Sequence, residues 1–203
     1  MYLVKTPKYL QEAFPSIEWR YKTTDKVLYL TFDDGPTQES THTILEILQR
    51  YDAKATFFCV GDNIKKFPTL HKSILDEGHK VGSHTYNHLS GWTTTNQNYY
   101  SNIHKAAKLV DSPLFRPPYG RITPNQSKQL SKDYRIVMWD VLSGDFDRSI
   151  SAKKCVLNVT TNAKPGSVVV FHDSEKTSKL VAKVLPQVLE YFMARDYQFK
   201  AIT

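Results

Sequence analysis

Short apolar runs alternate with longer segments of helical spacing along this chain, and few folds accommodate that alternation. Runs rich in β-branched and aromatic residues cover 26–31, 55–61, 80–83, 114–117, 135–141, 167–172 and 198–203. Between them, THTILEILQRYDA gathers Ile44, Leu45, Ile47 and Leu48 on one side. NIKKFPTLHKSILDEGHK gathers Ile64, Leu70, Ile74 and Leu75 and stops at Gly78. NYYSNIHKAAKLV and KLVAKVLPQVLEYFMARD read as further helices, the second with Pro186 inside it. Strand–helix repetition of this kind predicts an α/β fold on a mainly parallel sheet. Seven such units in 203 residues fit one small or incomplete (β/α) barrel better than two domains. Residues 1–25 stand outside the alternation and are expected to cap one end, leaving 26–203 as the domain proper.

Charge narrows the partners. The net charge is +7, from 27 Lys+Arg against 20 Asp+Glu, with lysines dispersed and the densest pairs only Lys65-Lys66 and Lys153-Lys154. A nucleic-acid surface concentrates its basic residues in a run or stripe, so nucleic acid is not expected as a partner. A solvated basic surface is the reading adopted, with attraction to an anionic polymer or membrane surface as the alternative. Cys59 and Cys155 belong to no CxxC, and Cys59 sits in the apolar ATFFCVG, which predicts a buried core thiol. The longest apolar run near the N-terminus is four residues, too short for a signal peptide's core or a transmembrane segment. A cytoplasmic location is the expectation that follows.

Parallel barrels place their chemistry at the C-terminal ends of the strands. Unusual polar residues follow the runs at just those points: Asp33 and Asp34, then His84 and His88, then Arg116, then Asp140 and Asp145, then His172 and Asp173. The four-residue spacing of His84 and His88 predicts two imidazoles on one face of a helical turn, able to share an ion. For the pair alone, unrelated or core histidines are the favoured reading. A carboxylate joining them makes a divalent-metal hydrolase set, most often for Zn²⁺. The adjacent aspartates then divide their work: one ligates the ion, and the other is free to act as a general base. The alternative for DDG is a solvated turn or helix cap.

Taken in order, TFDDGP, SHTYNH, RPPYG, WDVLSGDF and VFHD resemble the polysaccharide deacetylase family, also called the NodB-homology or carbohydrate esterase 4 family. The resemblance runs from about residue 26 to the C-terminus. It implies a distorted (β/α)7 barrel and metal-dependent hydrolysis of N-acetyl or O-acetyl groups on sugars. By matched position it implies Asp33 as catalytic base and Asp34, His84 and His88 as metal ligands. Arg116 then orients the base, His172 is the general acid, Asp145 is its partner, and the Tyr119 N–H is the oxyanion donor. The metal expected is Zn²⁺, with Co²⁺, Ni²⁺ or Fe²⁺ as alternatives. Phe146 stands where the family usually has Trp, and Val170 where it usually has Leu. Both positions line the family's acetyl-methyl pocket, to which Pro117 is also assigned, so substrate preference is where this chain should differ. Trp92 and Trp139 could serve as sugar platforms, but core packing is the expectation for both. The substrate class implied is an acetylated amino sugar or polysaccharide of peptidoglycan or chitin type. Deacetylation of O-acetyl sugars or of a small amide, and non-catalytic glycan binding, are the alternatives.

Overall fold

The computed structural model describes residues 2–203. In chain order the elements are α1 (Lys8–Ala13), β1 (Ile17–Glu18), β2 (Val27–Asp33), α2 (Gln38–Arg50), β3 (Ala55–Cys59), α3 (Gly61–Lys66), α4 (Pro68–Asp76) and β4 (Lys80–Ser83). There follow α5 (Asn96–Val110), β5 (Leu114–Phe115), a 3-10 turn at Pro118–Gly120, α6 (Pro124–Leu130), β6 (Arg135–Val137), β7 (Val141–Leu142), α7 (Ala152–Thr160), β8 (Val168–His172), α8 (Ser178–Met193) and β9 (Gln198–Phe199). The strands pair in parallel in the order β1-β6-β5-β4-β3-β2-β8-β7, with β9 added alongside the start of β2. Only three residues join β6 to β7, which lie near opposite ends of this order, so the sheet must curl back on itself into a half-barrel.

Alternation along β2 separates two environments. Leu28, Leu30 and Phe32 face the outer layer, where α2, α7 and α8 cover the sheet and Phe32 stacks on Phe57 and Phe171 at 5.0 and 5.9 Å. Thr31 and Asp33 point to the other side, into the barrel, where the Arg116 guanidinium meets them. Phe58, Leu114, Val137, Val168 and Ile202 form a smaller cluster with Tyr29 and Trp139 against it.

The strand run expected at 135–141 is two staves rather than one. Its first half pairs with β5 and β1, and its second half with β8 on the far edge. The run at 198–203 pairs only with Val27 and Leu28 and is no stave of the barrel. One expected helix is two, because Pro68 lacks the N–H needed to continue α3 and instead opens α4 at its first turn. Residues 2–25 thread the gap between the sheet edges. Val4 and Glu18 accept hydrogen bonds from Leu142 N (2.8 Å) and Met138 N (2.8 Å), and Thr6 N donates to Asp140 O at 2.9 Å. Among the described residues no helix is long and apolar enough to cross a membrane.

Candidate active site

Register brings the polar rim to one level. Asp33 is the partner of His172 across β2 and β8, and of Phe58 across β2 and β3. His84 and Arg116 are the first residues beyond β4 and β5, which pair at Ser83 and Phe115. Above this rim lies a cleft of about 680 Å³, lined by Asp33, Asp34, His84, His88, Tyr119, Phe146, Val170 and His172 among others.

Three of these residues form a candidate metal centre. One potential ligand atom each from Asp34, His84 and His88 lie within 4.8 Å of one another. Asp34 Oδ1 is 3.0 Å from His88 Nε2 and 3.7 Å from His84 Nε2. The donor set suits a divalent ion for a local reason. His84 Nδ1 donates to the Arg116 carbonyl at 2.8 Å, so Nε2 carries the lone pair and faces the carboxylate. Burial pulls His84 down to about 4, so the ring is neutral. A lone pair opposite a carboxylate is an arrangement that a cation between them relieves. Burial would raise Asp34, but the His88 hydrogen bond and the nearby charge of His172 hold it well below the usual carboxylate range.

The two histidines do not share a helical turn, contrary to the expectation from their spacing. Residues 84–88 form a loop in which Thr85 and His88 have φ of 64° and 57°. The N–H groups of Tyr86, Asn87 and Leu89 turn to side chains instead of an i to i−4 ladder, while the Thr85 and Tyr86 carbonyls accept from Gly61 N and Asp62 N. Asn102 Oδ1 accepts from Tyr86 N and Asn87 N, and Thr85 Oγ1 accepts from Leu89 N. A left-handed, β-branched Thr85 is a strained backbone held by its surroundings, as is frequent at functional sites.

Two charged pairs flank the cluster. Arg116 is wholly buried and donates from Nη1 to Asp33 Oδ1 and Thr31 Oγ1, both at 2.7 Å. Its Nε and Nη2 donate to the carbonyls of Val137 and Met138, both at 2.9 Å, and its Cζ sits 4.0 Å from the Phe58 ring centroid. On the other side Asp145 uses both oxygens on His172: Oδ1 with ring Nδ1 at 2.8 Å, and Oδ2 with the backbone N–H at 2.7 Å. Burial lowers His172, but the Asp145 charge and hydrogen bond, with Asp34 and Asp33 nearby, carry it up to about 9. Phe146 lies edge-on to His172 at 5.4 Å and against Tyr2 at 4.9 Å, and Val170 is buried in β8 at the cleft floor. Tyr119 has φ 61° and packs edge-on to His88 at 4.6 Å.

Pro117 is buried at the start of the 3-10 turn and is not among the residues lining the cleft. Trp92 does not pack in the core. It is 64% exposed on the cleft, held by an Nε1–H bond to Ile122 O, while Trp139 is half-buried between the core and the cleft.

Asp173 holds the DDG turn in place, a part its position on the rim did not reveal. Its Oδ1 accepts from Gly35 N at 2.8 Å, its Oδ2 from Thr41 Oγ1 at 2.6 Å, and its N–H donates to Asp33 O. A Cβ on Gly35 would meet Asp173 Oδ2 at 1.8 Å, so only glycine lets the turn approach. Burial, then the Asp34 and Asp33 charges, push Asp173 up to about 7. Asp173→Ala strands the Gly35 N–H and the Thr41 hydroxyl, and is expected to lower stability by about 2–3 kcal/mol in urea unfolding. An unchanged midpoint would show that the turn is held some other way.

A family model described as polysaccharide deacetylase matches residues 20–139. A peptidoglycan-N-acetylglucosamine deacetylase of Bacillus cereus is 37% identical over 171 residues, covering 78% of this chain and 62% of that protein. The chain thus spans less than two thirds of that relative. A second protein of the same name from Bacillus cereus is 31% identical, with 92% of this chain and 91% of that one covered. A crystal structure of a peptidoglycan N-acetylglucosamine deacetylase, in complex with 4-naphthalen-1-yl-N-oxidanyl-benzamide, superposes with a TM-score of 0.89 at 31% identity, covering 97% of this chain and 95% of that one.

Proposed function

The chain belongs to the polysaccharide deacetylase family, and from that premise we propose that it hydrolyses N-acetyl groups on an amino-sugar polymer of the peptidoglycan type. One observation carries this reading: the Asp33–Arg116 and His172–Asp145 pairs flank the Asp34–His84–His88 cluster in a single cleft. The similarity to peptidoglycan deacetylases over nearly the whole chain supports the choice of polymer.

Asp34, His84 and His88 would hold the divalent ion, Zn²⁺ by its donor set, or else Co²⁺, Ni²⁺ or Fe²⁺. When bound, such an ion supplies Lewis-acid polarisation of the carbonyl and a lowered pKa for water. Asp33 accepts the proton of the attacking water. Its Oδ1 is committed to Arg116, which fixes the carboxylate's orientation and leaves Oδ2 for this task. The Tyr119 N–H donates to the oxygen on which negative charge develops; one such donor is typically worth roughly 10²–10³ in rate. His172, charged through Asp145, delivers a proton from Nε2 to the departing amine. Phe146 and Val170 surround the acetyl methyl group.

The test is acetate release by metal-quantified protein from N-acetylglucosamine oligomers, peptidoglycan fragments and O-acetylated sugars. Release from the N-acetylated substrates that stops on chelation supports the proposal. Release from the O-acetylated sugars alone would make the enzyme an esterase, and no release from any of them would sink it.

A pH profile tests the acid separately. Asp145 raises His172, so Asp145→Asn lowers it, and the alkaline limb of kcat is expected to move to lower pH. An unmoved limb would assign that limb to another group.

A further inference from the structure

One cation of the cleft has no part in this chemistry. Arg121 lines the cleft just beyond the 3-10 turn, with its guanidinium carbon 5.4 Å from the Trp92 ring centroid and 5.5 Å from that of Tyr119. Among the described residues no carboxylate lies within ion-pair distance of it. The backbone beneath is fastened: Gly91 N donates to Arg121 O at 3.1 Å, and the buried Gln126 holds Gly91 O through Nε2 at 2.9 Å. A guanidinium over aromatic rings keeps its planar N–H fork available, and that fork matches a carboxylate or phosphate in a bidentate manner.

The other charges of the cleft are committed. Arg116 is buried on Asp33, His172 is clamped on Asp145, and Asp34 lies 3.0 Å from His88 Nε2 within the histidine cluster. None of these carboxylates competes for Arg121. Tyr119 touches both Arg121 and His88, so a group held by Arg121 sits beside the reacting acetamide and not on it.

We propose that Arg121 is a specificity-determining residue that binds an oxyanion carried by the glycan, so that acidic acetylated glycans are selected over neutral ones. The proposal rests on the deacetylase reading for the glycan class only. The net charge of +7 acts in the same direction by drawing anionic polymers to the surface.

The experiment measures equilibrium binding, with turnover blocked by Asp33→Asn. Three N-acetylglucosamine tetramers are compared: neutral, bearing a 3-O-lactyl carboxylate, and bearing a 6-phosphate. Tryptophan fluorescence is the readout, since Trp92 lies against Arg121. At low salt one or both acidic tetramers are expected to bind about tenfold more tightly than the neutral one, with the gap shrinking as salt rises. The tighter of the two identifies the anion. Arg121→Gln is expected to erase the preference, and Arg121→Lys to keep part of it. Equal affinity for all three tetramers, or a preference that survives Arg121→Gln, overturns the proposal. Acetate release from the neutral tetramer by the chain with Asp33 intact judges the deacetylase reading separately. Its failure would leave the binding result standing.

Discussion

Asp34→Ala is expected to lose metal and acetate release together, whereas His172→Ala should keep the metal and lower kcat by about 10²–10⁴-fold. The contrast comes from where the two side chains sit. Asp34 is the sole carboxylate of the cluster, with one oxygen opposite both imidazole Nε2 atoms. Its removal leaves two imidazoles and no anionic ligand. His172 stands outside the cluster, clamped through its ring and backbone nitrogens to Asp145. Its removal leaves the ion's ligands in place but withdraws the proton that an amine needs in order to depart. An alkoxide can leave without a proton far more readily than an amide anion can, so the loss on an O-acetyl ester should be smaller than on the acetamide. Metal analysis after dialysis and initial rates on both substrates check this. Metal loss in His172→Ala, or wild-type rates in either variant, would refute the assignment.

The second large effect is on stability. Arg116→Leu is expected to cost about 3–5 kcal/mol, because it leaves the Asp33 carboxylate buried without its partner. The same substitution strands the carbonyls of Val137 and Met138, at the point where the chain crosses between the two edges of the sheet. Arg116 therefore joins β2 to that crossing as well as orienting Asp33. The double variant Arg116→Leu/Asp33→Asn removes the unpaired charge and should recover part of the loss, a non-additivity that urea unfolding can measure. A single-variant loss below about 1 kcal/mol would mean that water reaches and solvates Asp33.

Much of the candidate site was legible because a parallel sheet delivers the residue after each strand to the same rim. Asp33, Asp34, His84, Arg116 and His172 needed only correct strand ends to be grouped. The spacing of His84 and His88 was informative for the wrong reason: the rings meet through a strained loop satisfied by Asn102, and local periodicity cannot show that partner. The helix α6 went unread although its signal was present, with Thr123 and Gln126 forming a capping box around Pro124 at the first turn. Trp92 was expected in the core because an indole is mostly apolar, yet a single N–H bond and the Arg121 stack hold it at the surface.

The sequence by itself determined the alternating α/β architecture and the chemical identity of the rim, since strand periodicity and residue type are local properties. Tertiary structure alone decided how the sheet closes, with residues 2–25 filling the seam between β6 and β7. It also decided which polar groups pair: Arg116 with Asp33 across 83 positions, and Asp173 with Gly35 across 138. Such pairings depend on backbones brought together by burial of the apolar layer, and no local pattern encodes the distance between them.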